Sequence, residues 1–156
     1  MQTYEEACQA ARSHKSFPAL EAKLLAVGGT RVVPSPDPHI GLLIQQGRVI
    51  AGKLPKKVRG RRSRCHHNVA FRYLDNPFTY EIATGYGLTA ADGLWRQHSW
   101  LWDGKHVVET TVDFVRYFGV VLTDEESLNF ALNEVLSASP VGRRLCQRID
   151  QRVEAN

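Results

Sequence analysis

The chain has little cysteine. Cys8, Cys65 and Cys146 are the three in 156 residues. An odd number without framework spacing argues against a disulfide scaffold and fits a reducing compartment. No apolar run approaches the roughly 18 residues of a membrane helix, so no membrane partner is expected. The N-terminus carries Glu5 and Glu6 and lacks a basic stretch followed by an apolar one, so no secretory signal is read there and a cytoplasmic location is expected. Internal repeats, low-complexity tracts and interdomain linkers are also missing. What remains is an ordinary globular composition, 43% hydrophobic and 23% charged, in a chain of one-domain length that can bury a core. Residues 1–156 are read as a single domain.

Charge is uneven. The net excess is +4. Lys53, Lys56, Lys57, Arg59, Arg61, Arg62 and Arg64 crowd the stretch before Cys65, and Arg143, Arg144, Arg148 and Arg152 lie near the C-terminus. Such clusters bind nucleic acid, attract acidic substrates, or simply solvate a loop. No aromatic residue interleaves with the first cluster as a base-stacking platform requires, so nucleic acid is not the favoured partner.

Hydrophobic periodicity predicts helices over residues 2–26, broken at Ser16-Phe17-Pro18 and ended by Gly28-Gly29. Three prolines keep residues 34–39 extended. Residues 40–50 read either as a hairpin turning at Gln46-Gly47 or as a short helix, and residues 52–63 as a basic loop. Ser63 is placed to cap a helix from Arg64 to about Tyr73, closed by Asp75-Asn76-Pro77. Residues 79–88 alternate as a strand, and residues 114–120 are irregular or a short strand. Thr123-Asp124-Glu125-Glu126 is a capping box opening a helix to about Ser137. Ser139-Pro140 opens a last one, so C-terminal helices span about 124–153. Helices segregated from strands argue for an α+β fold.

The chemistry-bearing segment runs from His98 to Glu109. Asp103-Gly104 is a strong two-residue hairpin signal. Pairing 102 with 105 puts His98 directly opposite Glu109 on one face, with Cβ atoms about 5 Å apart. A carboxylate there orients an imidazole and stabilises its charged form. Cys65, at a predicted helix start beside Arg64, sits where the helix dipole and nearby cations favour thiolate. The unsatisfied amides of that first turn can hold an oxyanion. Cys65, His98 and Glu109 are therefore candidate nucleophile, base and orienting acid. The plainer alternatives are a packed helical cysteine and an ordinary cross-strand polar pair. A zinc site built from Cys65, His66, His67, His98 and His106 is the competing arrangement, but adjacent helical histidines diverge by about 100° and His98 and His106 fall on opposite sheet faces, so no metal is expected.

Cys65-His66-His67-Asn68-Val69-Ala70, Tyr80 through Leu88 with its Gly85-Tyr86, His98-Ser99-Trp100, Val107-Val108-Glu109-Thr110-Thr111 and Tyr117-Phe118-Gly119-Val120 together resemble the ordered pattern of small bacterial and phage proteins in the papain-like, transglutaminase-like superfamily. The resemblance covers about residues 63–121. It implies a Cys65–His98–Glu109 triad, with the cysteine helix packed on an antiparallel sheet and no cofactor, acting as a peptidase, amidase, deamidase or transglutaminase on an amide, isopeptide or thioester bond. Its substrate would be a protein, peptide or small amide. Two departures stand out. Glu109 occupies the place where Asp is usual, and no glutamine precedes Cys65 to supply an oxyanion donor. Asn68, Gln97 or backbone amides are the candidates for that role. Trp95 is a candidate groove wall, while Trp100 packs the core or shields the imidazole. Arg61, Arg62 and Arg64 would form a basic approach favouring an acidic substrate. The alternative in another class is a non-catalytic module that binds nucleic acid or an acidic protein through its basic clusters.

Overall fold

In a computed structural model of the chain, the described residues are 3–50, 53–58, 60–76 and 78–140. The elements in chain order are α1 (Tyr4–Ser13), α2 (Phe17–Ala26), β1 (Arg31–Val32), α3 (Ile40–Gln46), β2 (Arg48–Val49), β3 (Lys53–Lys57), α4 (Cys65–Asp75), β4 (Glu81–Leu88), β5 (Leu94–Trp102), β6 (His106–Glu109), β7 (Arg116–Val121) and α5 (Asp124–Ala138). The last expected helix, the second arginine group, Cys146 and Arg59 lie outside the described residues. No helix among the described residues is long and apolar enough to cross a membrane.

Local chemistry accounts for most boundaries. Thr123 and Glu126 close the anticipated capping box, with Thr123 N–H on Glu126 Oε2 at 2.8 Å and Glu126 N–H on Thr123 Oγ1 at 3.3 Å. Thr3 and Glu6 form a second such box at the head of α1. Pro18 sits in the first turn of α2, where its missing N–H leaves no bond unmade. Of the two readings of residues 40–50, a short helix forms and then a short strand, α3 followed by β2. The segment at 114–120 supplies β7, which pairs with β4 inside the sheet. The start of the basic loop is itself a strand, β3.

The α+β class stands, but the sheet is mixed rather than antiparallel. Its order is β2-β7-β4-β5-β6-β3, with β1 also on β5, seven strands among the described residues. The β1–β5 and β3–β6 pairings are parallel. Parallel neighbours need long crossovers, and here each is supplied by intervening helices and strands far apart in sequence. Hairpin signals cannot reveal such pairings.

Strand alternation divides the sheet into two faces. On one, Ile82, Tyr86, Trp95, Leu101, Val108 and Phe118 pack against Leu20, Leu24, Leu43, Val69, Tyr73 and Ala131 of the helices. On the other, Ala83, Trp100, Val107, Phe114 and Tyr117 form a second cluster. Beside β5, β1 covers Leu94 and Trp95 and β6 covers Leu101 and Trp102. Between them, residues 96–100 have no strand partner on that side among the described residues. The start of α4 reaches β5 at this gap.

Candidate active site

The β5–β6 hairpin carries the histidine and the glutamate, but in a shifted register. Trp102 pairs with Val107 and Leu101 with Val108, two residues away from the expected pairing of 102 with 105. The cause is Asp103. Its Oδ1 accepts the N–H groups of Lys105 at 3.0 Å and His106 at 2.7 Å. Asp103 N–H also bonds His106 O at 3.3 Å, so the two-residue turn moves one position on, to Gly104-Lys105. A shift of two preserves the face of every side chain. Continued along the strands, it moves Glu109 from directly opposite His98 to the diagonal position. A diagonal neighbour is about 7–8 Å away between backbones, within reach of a long side chain. Glu109 spans it: His98 Nε2 and Glu109 Oε2 are 2.8 Å apart. The extra methylene of Glu over Asp is what this register requires.

Both groups are 2% exposed, so the acid must be fully paired. Glu109 Oε2 also accepts the Tyr117 hydroxyl at 2.9 Å. Its Oε1 accepts Thr110 N–H and Thr111 N–H, each at 2.8 Å, and the Thr111 hydroxyl at 3.0 Å. Burial raises its titration, yet the His98 bond and charge and these other donors outweigh burial, and Glu109 stays below the usual carboxylate range. The His98 ring is boxed by Phe114 at 4.5 Å, Trp100 at 6.0 Å in a stacked arrangement and Tyr117 at 6.3 Å between ring centroids. Room for the box comes from glycines. A Cβ at Gly87 would stand 2.5 Å from the Phe114 ring, and one at Gly119 would stand 2.7 Å from Trp100.

Cys65 approaches from α4. It is half-buried and free, and its thiol is close enough to the His98 imidazole for each to shift the other's titration. Nε2 is engaged by Glu109, so Nδ1 faces the sulfur. The backbone N–H groups of Ser99 and His66 also point at the thiol. Burial works against a charged sulfur, but His98 and these two amides outweigh it and lower the Cys65 titration. His98 shows the reciprocal effect. Burial lowers it, the bonds and charges of Cys65 and Glu109 win, and it is pushed up to about 9. Both shifts act in the direction that favours a thiolate–imidazolium pair, with the buried carboxylate behind it.

Ser63 does not cap α4. It lies at φ 54, in the left-handed region, and Arg64 takes the N-cap position with no side-chain bond to the first turn. Asn68, proposed for the oxyanion, is committed elsewhere. Its Oδ1 accepts Arg61 N–H at 3.0 Å and its Nδ2 donates to Arg61 O at 2.8 Å. Asn68 therefore pins the basic loop to the helix. Gln97 is committed too, since its Oε1 accepts the Ser35 hydroxyl at 2.8 Å. Trp95 lines no groove. It is fully buried, with its indole N–H on Gly28 O at 2.7 Å. Arg61, Arg62 and Arg64 are exposed, whereas Lys56 and Lys57 pair with Asp103 and Asp113.

Cys65 opens into a cleft of about 410 Å³ lined by Ser63, Arg64, His66, His67 and Glu134 among others. A second groove of about 500 Å³ beyond His67 is lined by Arg61, Phe71 and Arg72. Among the described residues no group of three or more His, Cys, Asp or Glu side chains is placed to hold a metal ion. Sequence reasoning gave no role to Tyr117, Thr110, Thr111, Phe114 or Ser99, and weighed His66 only as a metal ligand. The Ser99 bonds to His66 and Thr84 join segments distant in sequence, and the short-range bonds of Thr110, Thr111 and Tyr117 to Glu109 follow from how that carboxylate is turned, which spacing does not carry. No family model, curated protein or solved structure matches the chain.

Proposed function

We propose that the protein is a cysteine-dependent hydrolase or acyl-transfer enzyme with a papain-like, transglutaminase-like arrangement, acting on an amide, isopeptide or thioester bond. The observation that carries this reading is a buried imidazole bonded at 2.8 Å to a buried carboxylate, with a half-buried free thiol as its other electrostatic partner. The Cys65 thiolate attacks the substrate carbonyl carbon, and the C–O π electrons move to oxygen. The tetrahedral intermediate collapses, the carbonyl–nitrogen or carbonyl–sulfur bond breaks, and His98 Nδ1–H protonates the leaving amine or thiol. His98, now neutral, takes a proton from water or an acceptor amine, which attacks the acyl-thioester and releases the product, returning the thiolate–imidazolium pair. Glu109 holds the tautomer and the charge of His98 throughout. With Asn68 and Gln97 tied down, the oxyanion falls to backbone N–H groups of the uncapped α4 start. No step requires a cofactor.

Exposed Arg61, Arg62 and Arg64 beside the cleft favour an acidic protein, peptide or small-amide substrate. The non-catalytic reading, with the same basic surface binding nucleic acid or an acidic protein, draws less support because two of its lysines are neutralised within the chain. Intact-mass analysis after exposure to a panel of acyl and peptide electrophiles tests the proposal. A single adduct on Cys65, lost in Cys65→Ala, is expected. Labelling of Cys65 no faster than Cys8 near neutral pH would refute it.

A further inference from the structure

His66, which follows the nucleophile in sequence, bonds the residue that follows His98. Its Nδ1 lies 2.7 Å from Ser99 Oγ, and Ser99 Oγ donates to Thr84 Oγ1 at 3.0 Å. Helix neighbours diverge by about 100°, and strand neighbours point to opposite faces. The start of α4 therefore straddles the edge of β5. Cys65 reaches His98 from one side while His66 reaches Ser99 on the other.

Resting on the reading of Cys65 and His98 as the reacting pair, we propose that His66 is a positioning residue whose hydrogen bond to Ser99 fixes the Cys65 sulfur against the imidazole. A single contact between helix and strand would leave the helix start free to pivot, whereas two contacts on opposite faces fix its rotation and its distance. Little else secures the first turn, because α4 has no side-chain cap and the Asn68 clamp lies a turn further on. The brace also aims two backbone donors, since the N–H groups pointing at the sulfur belong to His66 and Ser99 themselves.

The proton arrangement follows from counting donors. Ser99 has one hydroxyl proton and gives it to Thr84, so it accepts from His66, and His66 carries its proton on Nδ1. Burial first, then the positive charges of His98 and His39, hold His66 down at about 4. It stays neutral and does not repel the imidazolium it positions. Phe130 packs 5.9 Å from the ring.

The test uses the full chain carrying His66→Ala, His66→Asn or Ser99→Ala. The readouts are Cys65 alkylation by iodoacetamide as a function of pH, followed by intact mass, and the thermal midpoint. Misplacement of reacting groups by about 1 Å costs up to about 100-fold. His66→Ala and Ser99→Ala are expected to slow alkylation at pH near 6 by about tenfold or more and to move the inflexion upward. His66→Asn, whose amide N–H reaches the same hydroxyl, is expected to recover most of the rate. If His66→Ala does not fold, Ser99→Ala, which deletes one oxygen, carries the test. A wild-type profile in Ser99→Ala overturns the proposal, as does His66→Asn no better than His66→Ala, because ring bulk would then be what matters. Failure of the catalytic reading is distinguishable: Cys65 would already label slowly in the unaltered protein.

Discussion

Replacing Glu109 with glutamine preserves shape and reverses one half of its hydrogen bonding. The Oε1 side faces the backbone N–H groups of Thr110 and Thr111, which only donate. The glutamine carbonyl must remain there, so its NH₂ turns toward Tyr117 and His98. The tyrosine hydroxyl can rotate, but His98 Nε2 must become an acceptor, which drives the imidazole proton to Nδ1, the nitrogen facing the sulfur. A neutral ring protonated there cannot take the thiol proton. The charge that helped lift His98 to about 9 is lost as well. Cys65 should then titrate higher than in the native protein, because burial acts against a charged sulfur with less to oppose it, and the thiolate fraction at pH near 6 falls. A more basic thiolate is a better nucleophile, which offsets part of that loss. The expected fall in Cys65 alkylation at pH near 6 is about tenfold or more, measured with iodoacetamide and intact mass. Glu109→Asp should lose most of the same rate, since a chain one methylene shorter cannot span the diagonal between β5 and β6. Wild-type alkylation in Glu109→Gln would refute the tautomer argument. A fully active Glu109→Asp would refute the diagonal one.

Three other outcomes follow from the same contacts. Gly87→Ala places a methyl against the Phe114 ring and should destabilise the fold by about 1–3 kcal/mol in chemical denaturation, whereas an unchanged midpoint would mean that Phe114 moves aside freely. Asn68→Ala strands the Arg61 backbone and should cost about 1–3 kcal/mol, with faster tryptic cleavage at Arg61 and Arg62; equal cleavage rates would contradict the clamp. The pH dependence of stability separates the charged groups. Glu109 is held below its unfolded value of 4.5, so its contribution is present above that value and should fade as acid protonates it in the folded state. His98 is raised from 6.5 to about 9, so on its own its contribution is full below 6.5 and disappears as pH rises through the folded value. In the native pair Cys65 is shifted the opposite way and the two effects offset, leaving a near-plateau. Cys65→Ser removes the sulfur's share of the His98 raise and leaves the Glu109 bond and charge against burial, so the fall in stability that remains above pH 6.5 reports the His98–Glu109 coupling. A flat profile in that variant would count against the His98–Glu109 coupling.

Several features needed only local chemistry. The capping box at Thr123, the proline at the head of α2 and the alternation of β4 are short-range patterns, and each formed where its side chains dictated. The pairing of His98 with Glu109 was legible as a face, because strand alternation survives a shift of two. It was not legible as a register, because the Asp103 side chain binds the turn amides and the turn moves one residue along. Asn68 and Gln97 looked available for an oxyanion only while their partners, Arg61 and Ser35, were unplaced. Trp95 looked like a groove wall until α2 and its glycine turn closed over it.

By itself the sequence determined which residues are candidates for chemistry, the α+β class and the common face of His98 and Glu109, since composition and periodicity act over a few residues. The tertiary structure decided that Cys65 enters through the gap in β5, that Glu109 reaches along a diagonal, and that His66 and Ser99 brace the approach. Those contacts join segments tens of residues apart, and their geometry depends on parallel pairings and a turn whose outcome packing and side-chain bonding set together.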